Sequence, residues 1–351
     1  MKSKQTLILI IILIVLIIAS AGFVAYTIHA RQKENQTVSN VENEDENKEK
    51  EPLVVQEKKA EIFNGNDRPI AVMIDNHTGA WPQAGLNKAY LVYEIIVEGG
   101  ETRLMALFKK QDVDKIGPVR SSRHYFLDYA LENDAIYVHF GWSPQAESDI
   151  KSLNVNNING ISETSSSFWR SSDKKSPHNV VTSIEKIKQI AERKGYKTTS
   201  EKKSVLNYTT NRVELENGIA ATSVTIPHSA QQTVQYKYNE ETGRYTRYAR
   251  NKLQTEWYTN EEVTTKNIII TLCDNYTLDD NENKGRQGLY NIGEFKGYYI
   301  TNGKAIDITC IKSSRTSQTI YKDLNGNEIK VNDGNTFIHI CPKDSNVKIE
   351  P

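Results

Sequence analysis

The chain has 351 residues, enough for about two domains. Its 44 basic residues balance 44 acidic ones, so no net field recruits nucleic acid over distance, which argues against a nucleic-acid binder. Hydrophobic residues at 38% and charged residues at 25% suffice for ordinary cores, diluted by some long polar stretch.

From Leu7 to Ile28 the chain carries no charge over 22 residues, long enough to cross a bilayer core of about 30 Å as a helix. Residues 1–30 therefore read as a signal anchor or a signal peptide. Lys2 and Lys4 precede the run while Arg31 and Lys33 follow it, which favours a cytoplasmic N-terminus and folded domains on the extracytoplasmic side of a single-pass cell-membrane protein. Ala19-Ser20-Ala21 has the small residues of a cleavage site, yet the apolar run continues past it to full span length, favouring an uncleaved anchor. Residues 31–66, rich in Glu, Asn and Lys and poor in aromatics, bury too little apolar surface to offset chain entropy and read as a disordered tether. The three cysteines, Cys273, Cys310 and Cys341, lie in strand-like stretches without metal-ligand spacing, so they read as small buried hydrophobes. Neither a metal nor a cofactor is expected.

An α/β domain is expected over residues 67–205, a mixed sheet with flanking helices. Ile70 to Ile74 is an apolar strand that delivers Asp75, Asn76 and His77 at its carboxyl end. Next, LVYEIIVE and ETRLMALF flank Gly99-Gly100, which reads as a two-residue hairpin turn. That turn pairs Glu98 with Glu101, Ile96 with Arg103 and Glu94 with Met105. Glu94, Glu98 and Arg103 then share one face, opposite Tyr93, Ile95, Val97, Leu104, Ala106 and Phe108. Such a cluster is either a partly buried ion-pair network or a pair of carboxylates for acid/base work, and Arg103 would depress both carboxyls.

Ser121 or Ser122 is the expected N-cap of a helix through Leu131, with Arg120 and Arg123 at its positive end. Cations there call for an anion, either internal (Glu94, Glu98 or Asp75) or a carboxylate or phosphate ligand. A strand from Ala135 to Phe140 brings His139 near Asp75 if the two strands are parallel. Ser143-Pro144 opens a second helix, to about Leu153. Phe168-Trp169 in a Ser-rich loop form a carbohydrate or partner platform if exposed and a pin if buried. Pro177-His178-Asn179 leads to a third helix, about Thr182 to Lys194.

Beyond Ala221 the sequence turns to Tyr- and Thr-rich alternation, as in VQYKYNEETGRYTRY, with Asn302-Gly303 as a hairpin turn, so residues 220–351 read as a mostly β second domain. Asp323 to Asn327 reads as a plain turn, since it lacks the spacing of a calcium loop.

RPIAVMIDNH, GLNKAYLVYEIIVEGGETRLMALF, IGPVRSSRHYFLDYALENDAIYVHFGWSPQA and PHNVV together resemble the YerB-like family of Gram-positive envelope lipoproteins, a domain of unknown function with N- and C-terminal parts. The resemblance runs on through the Tyr238–Tyr248 hairpin, NIIITL and DGNTFIHI. It implies an envelope location and the polar motif positions Asp75, Asn76, Glu94, Glu98, Arg103, Arg120, Arg123, His139, His178 and Asn179, but no reaction. The sequence departs from the family in having no lipid-accepting cysteine near its N-terminus, and in carrying Cys310 where the family is associated with tryptophan. The expected function is a binding or accessory module of the envelope, taking an anionic ligand through Asp75, Asn76, Arg103, Arg120, Arg123, His178 and Asn179, with a wall glycan or envelope protein as partner. The alternative is a hydrolase or lyase on peptidoglycan or another wall glycan, with Glu94 or Glu98 as acid or base and His139 as auxiliary. No nucleophile or metal motif favours the alternative.

Overall fold

Short, continuously apolar runs that are too brief for helices become central strands, buried on both faces. The computed structural model describes residues 65–351; the expected membrane segment and the tether up to residue 64 lie outside the described residues. Among the described residues no helix is long and apolar enough to cross a membrane. The first half contributes β1 (Ile70–Asp75), β2 (Leu91–Ile96), β3 (Thr102–Phe108), β4 (Ile136–His139) and β5 (Asn157–Asn159). Three helices accompany them, α1 (His124–Glu132), α2 (Pro144–Ser152) and α3 (Ile184–Arg193). The second half adds β6 (Ser223–Pro227), β7 (Thr233–Asn239), β8 (Arg244–Ala249), β9 (Asn267–Leu272) and β10 (Gly293–Thr301). It ends with β11 (Lys304–Lys312), β12 (Ile320–Asp323), β13 (Thr336–Cys341) and β14 (Lys348–Glu350).

The fold is a mixed sheet with few helices and mostly β content. Its main sheet has the order β12-β11-β10-β9-β13-β2-β3-β1-β4-β5, so strands of the two halves meet where β13 pairs in parallel with β2. The two stretches expected to fold in succession thus share one sheet, and the described residues form a single compact unit. A smaller sheet, β8-β7-β6-β14, packs Val224, Ile226, Val234, Tyr236 and Tyr245 onto one face of the main sheet, and α3 covers the same face through Ile187 and Ile190. Helices α1 and α2 cover the other face through Tyr125, Phe126, Tyr129 and Ile150.

The β2–β3 hairpin corrects the expected register. Ile95 pairs with Arg103, Glu94 with Leu104 and Ile96 with Thr102, while the Val97 N–H donates to the Glu101 carbonyl. Glu98 joins Gly99 and Gly100 in a three-residue turn, with both glycines at positive φ, 67° and 72°. A slip of one residue sends every later side chain to the opposite face. Arg103 therefore lies on the face of Tyr93 and Ile95, not with Glu94, and both faces of the hairpin are core.

The N-cap of α1 is Arg123 rather than a serine, because the Ser122 hydroxyl instead receives the Tyr137 hydroxyl and Ser121 donates to the Phe140 carbonyl. Helix α2 starts as its sequence dictates, with Ser143 accepting from the Ala146 N–H and Pro144 at the first position. Phe168 is buried and pins its loop, the three cysteines are buried and unpaired, and the Asp323 carboxylate closes a plain turn on the Asn325 and Asn327 N–H groups.

Gly297 of β10 shows how closely the central strands approach. A Cβ there would stand 2.1 Å from the Ile270 carbonyl oxygen and 2.9 Å from the Cys310 sulfur, and backbone cannot give way cheaply. Gly297→Ala should cost about 2 kcal/mol or more, typical of overpacking. The urea midpoint should drop at unchanged slope; an unshifted midpoint would show that the strands are not this close.

Candidate functional site

Alternation along β1, β2 and β3 sends neighbouring polar residues to opposite faces and builds two clusters at the same end of the sheet. Asn76, Glu94 and Thr102 face the smaller sheet, whereas Asp75 and Arg103 face the helical side.

The first cluster is interior. Glu94 and Arg247 of β8, both with wholly buried side chains, meet at 2.5 Å, and Glu94 also accepts from Thr102 Oγ1 and Asn76 Nδ2. Burial works to raise the Glu94 carboxyl, but Arg247 overcomes it and holds the pKa at about 2. Arg247 Nε donates to the Tyr236 hydroxyl, which lies 2.9 Å from His339 Nε2, and His339 Nδ1 lies 3.0 Å from His228 Nε2. Burial pushes both imidazoles below their ordinary pKa and keeps them neutral. Glu94, His228 and His339 place ligand atoms within 4.8 Å of one another, a spacing that could hold a metal ion. A cation there would compete with Arg247 for Glu94 and with two hydrogen bonds for His339, so the geometry fits a closed polar network better.

The second cluster reaches the surface. Asp75 Oδ1 accepts the His77 N–H, and Asp75 Oδ2 lies 2.8 Å from His178 Nδ1 and 3.2 Å from Arg120 Nε. Glu98 receives Arg123 in a two-pronged pair at 2.5 and 3.0 Å, with Arg103 at 3.8 Å. Burial works to raise the Glu98 carboxyl, yet the Arg123 hydrogen bond and charge hold it below the ordinary range. Arg103 feels Arg120, Arg123, Asp75 and Glu98 together; burial first, then Arg123, lowers its guanidinium to about 10. Three guanidiniums thus face two carboxylates. Among the described residues Arg120 makes a single ion pair, to Asp75, and keeps 28% of its side chain exposed.

The remaining expected residues have other tasks. His139 is buried, its ring nitrogens 2.8 Å from the Gly141 carbonyl and 3.2 Å from Asn157, and burial lowers its pKa to about 4. Strands β1 and β4 are parallel, but His139 makes no contact with Asp75; it braces the β4–β5 end. Asn76 belongs to the interior network through Glu94, Trp81 and Gln83. Asn179 ties Arg170 to Ser171 and Lys174, bracing the loop that carries His178. Glu94, Glu98 and His139 thus do not converge on one centre, and Glu94 and His139 have no access to a substrate. A cavity of ≈ 520 Å³ lies at the other end of β1, lined by Ile70, Phe108 and Tyr196, away from both clusters.

The comparisons with known proteins agree with this architecture. Residues 55–197 match the N-terminal domain, and residues 224–338 the C-terminal domain, of a protein family of unknown function designated DUF3048. A Bacillus subtilis (strain 168) relative named "Putative lipoprotein YerB" is 33% identical over 283 residues, covering 78% of this chain and 81% of that protein. The chain belongs to the YerB-like DUF3048 family. A crystal structure of the Bacillus subtilis YerB protein superposes with a TM-score of 0.72 at 32% identity, over 81% of this chain and 94% of that one. In family terms, Glu94 comes from the N-terminal part, whereas Arg247 and His228 come from the C-terminal part.

Truncating one partner of the interior pair strands the other. Arg247→Met should cost about 3–5 kcal/mol by urea unfolding, and adding Glu94→Gln should restore much of it. A double variant whose loss equals the sum of the two single losses would show that the pair is not coupled. The imidazoles add a pH dependence. His228 and His339 stay neutral in the fold but protonate in the unfolded chain below their ordinary value of 6.5, so stability should fall as pH drops through that value. Glu94, depressed to about 2 from 4.5, adds a further loss as pH falls below 4.5. Urea midpoints between about pH 7.5 and 4 measure both effects; His339→Gln should flatten the upper part of the profile.

Proposed function

We propose that this protein is an envelope binding module, held at the outer face of the cell membrane by its N-terminal apolar segment, that recognises an anionic wall polymer through the Arg103, Arg120 and Arg123 cluster. The name of the Bacillus relative supports an envelope location. This chain has no cysteine before Cys273 to take a lipid, so the uncharged stretch from Leu7 to Ile28 serves as the anchor in this reading. The observation that carries the ligand class is the excess of guanidinium over carboxylate at a solvent-reaching site, with Arg120 paired once among the described residues and partly exposed. Planar guanidiniums match carboxylate and phosphate oxygens two at a time. Lys174 and Trp81 extend the surface beside His178: Lys174 Nζ donates to the Trp81 carbonyl at 2.6 Å and lies 4.2 Å from the Trp257 ring centre.

Co-sedimentation of the purified protein with wall sacculi tests this reading. Wild type should pellet, and Arg120→Ala, which leaves only Asp75 short of a partner, should bind about tenfold more weakly with little change in melting temperature. Added salt should weaken wild-type binding and narrow the difference. Pelleting that is indifferent to both the substitution and salt would refute anion recognition at this site.

A further inference from the structure

The second cluster contains an acid–base arrangement that anion binding does not use. Gly79 N–H can only donate, so His77 Nδ1, 3.0 Å away, accepts and the His77 proton sits on Nε2. Asp75 Oδ2 can only accept as a carboxylate, so neutral His178 carries its proton on Nδ1 and presents a bare lone pair at Nε2. The two rings stack with centroids 4.3 Å apart and planes 9° from parallel. A Cβ at residue 79 would come within 2.9 Å of His178 Cδ2, so Gly79 is what permits the stack. The His178 side chain is 19% exposed and that of Asp75 5%, so the base reaches solvent while its orienting carboxylate is shielded. Arg120 shares Asp75 Oδ2 with His178, which places a bound anion beside the base.

We infer that Asp75, His178, His77 and Arg120 form a hydrolytic centre acting on a phosphodiester of the anionic polymer. This rests on the anion-binding reading of the same site. The substrate class follows from that juxtaposition: the group beside the base is the anion itself, and of the two anions a guanidinium takes up best, a carboxylate has no bond to hydrolyse whereas a phosphodiester has. Among the described residues no serine, threonine or cysteine side chain hydrogen-bonds to His178, so water is the nucleophile. His178 Nε2 takes a proton from water as the water oxygen bonds to phosphorus. The P–O bond to the leaving alkoxide breaks, and the imidazolium, stabilised by Asp75, returns its proton to that oxygen. One water is consumed, and a phosphomonoester and an alcohol are produced. Arg120 and the His77 Nε2–H hold the charge that gathers on the non-bridging oxygens.

The test uses the full chain in detergent with bis(4-nitrophenyl) phosphate and with a polyglycerol phosphate chain. Wild type should release nitrophenolate and shorten the polymer. His178→Ala should lower kcat by about a hundredfold or more, the usual contribution of a general base. His178→Asn, whose amide can still donate to Asp75, should fail equally while melting like wild type, so that loss of the contact alone cannot explain the effect. Wild-type kcat/KM should rise with pH along a limb that both variants lack, and Arg120→Ala should act mainly on KM. Sacculus binding without release from either probe overturns the hydrolytic centre and leaves the binding reading standing. Release by the His178 variants at the wild-type rate overturns it as well. Absence of both binding and release sinks the two readings together.

Discussion

The Glu94–Arg247 pair is the constraint on which the architecture turns. It joins residues 153 positions apart, on β2 of the main sheet and β8 of the smaller one, with no exposed side-chain surface on either. Such a pair contributes little net stability against a well-packed apolar alternative, because desolvation takes back most of the attraction. Its influence is on specificity: with either charge elsewhere, the two sheets would close over an unpaired ion. The guanidinium also packs 5.4 Å from the Phe337 ring and donates to Tyr236, extending the constraint to the His339–His228 pair. Since Glu94 and Arg247 come from the two halves of the family architecture, the halves are registered against each other through a buried charge as well as through the β2–β13 ladder.

Strand parity then separates interior from site. Asp75 and Asn76 are chain neighbours, as are Thr102 and Arg103, yet Asn76 and Thr102 serve the buried carboxylate while Asp75 and Arg103 reach the open cluster. One pleated end thus supplies polar groups to both faces. Inside, charges match one to one and the imidazoles are neutral; outside, guanidiniums outnumber carboxylates. A shift of one residue in the β2–β3 pairing would exchange these populations, placing a guanidinium under the smaller sheet and a threonine at the surface.

That parity marks the limit of what the sequence discloses. The apolar runs of β1 and β4, the Ser143-Pro144 start of α2 and the Asn302-Gly303 turn are legible because each is set by residues adjacent in the chain. The hairpin register was not, because Gly99-Gly100 reads as a complete two-residue turn while the actual turn also takes in Glu98. The single sheet was not legible either, since the β2–β13 pairing joins distant segments whose apolar runs would suit many partners. Arg247 left a usable trace: it shares parity with Tyr245 and Ala249 on a strand whose alternate residues are buried, which marks it as an inward-facing charge. His77 stood in view beside Asp75, but its stacking on His178 depends on a loop 101 residues away in sequence.

The contrast between the clusters lies in whether their charges are already matched. In the interior network, each charge has its opposite at contact distance, and a further ion would have to displace a partner already in place. In the open cluster, Arg103 is held to a guanidinium pKa of about 10 by burial and by the neighbouring Arg123, against the help of Glu98 and Asp75. Three guanidiniums share two carboxylates there, and burial adds to the cost of the Arg103 charge. In the proposed reading, an incoming anion would offset that crowding and take hydrogen bonds from Arg120. The fold has therefore already met part of the cost of gathering the cations, and the same arrangement sets His178, oriented by Asp75, on the carboxylate oxygen that Arg120 shares.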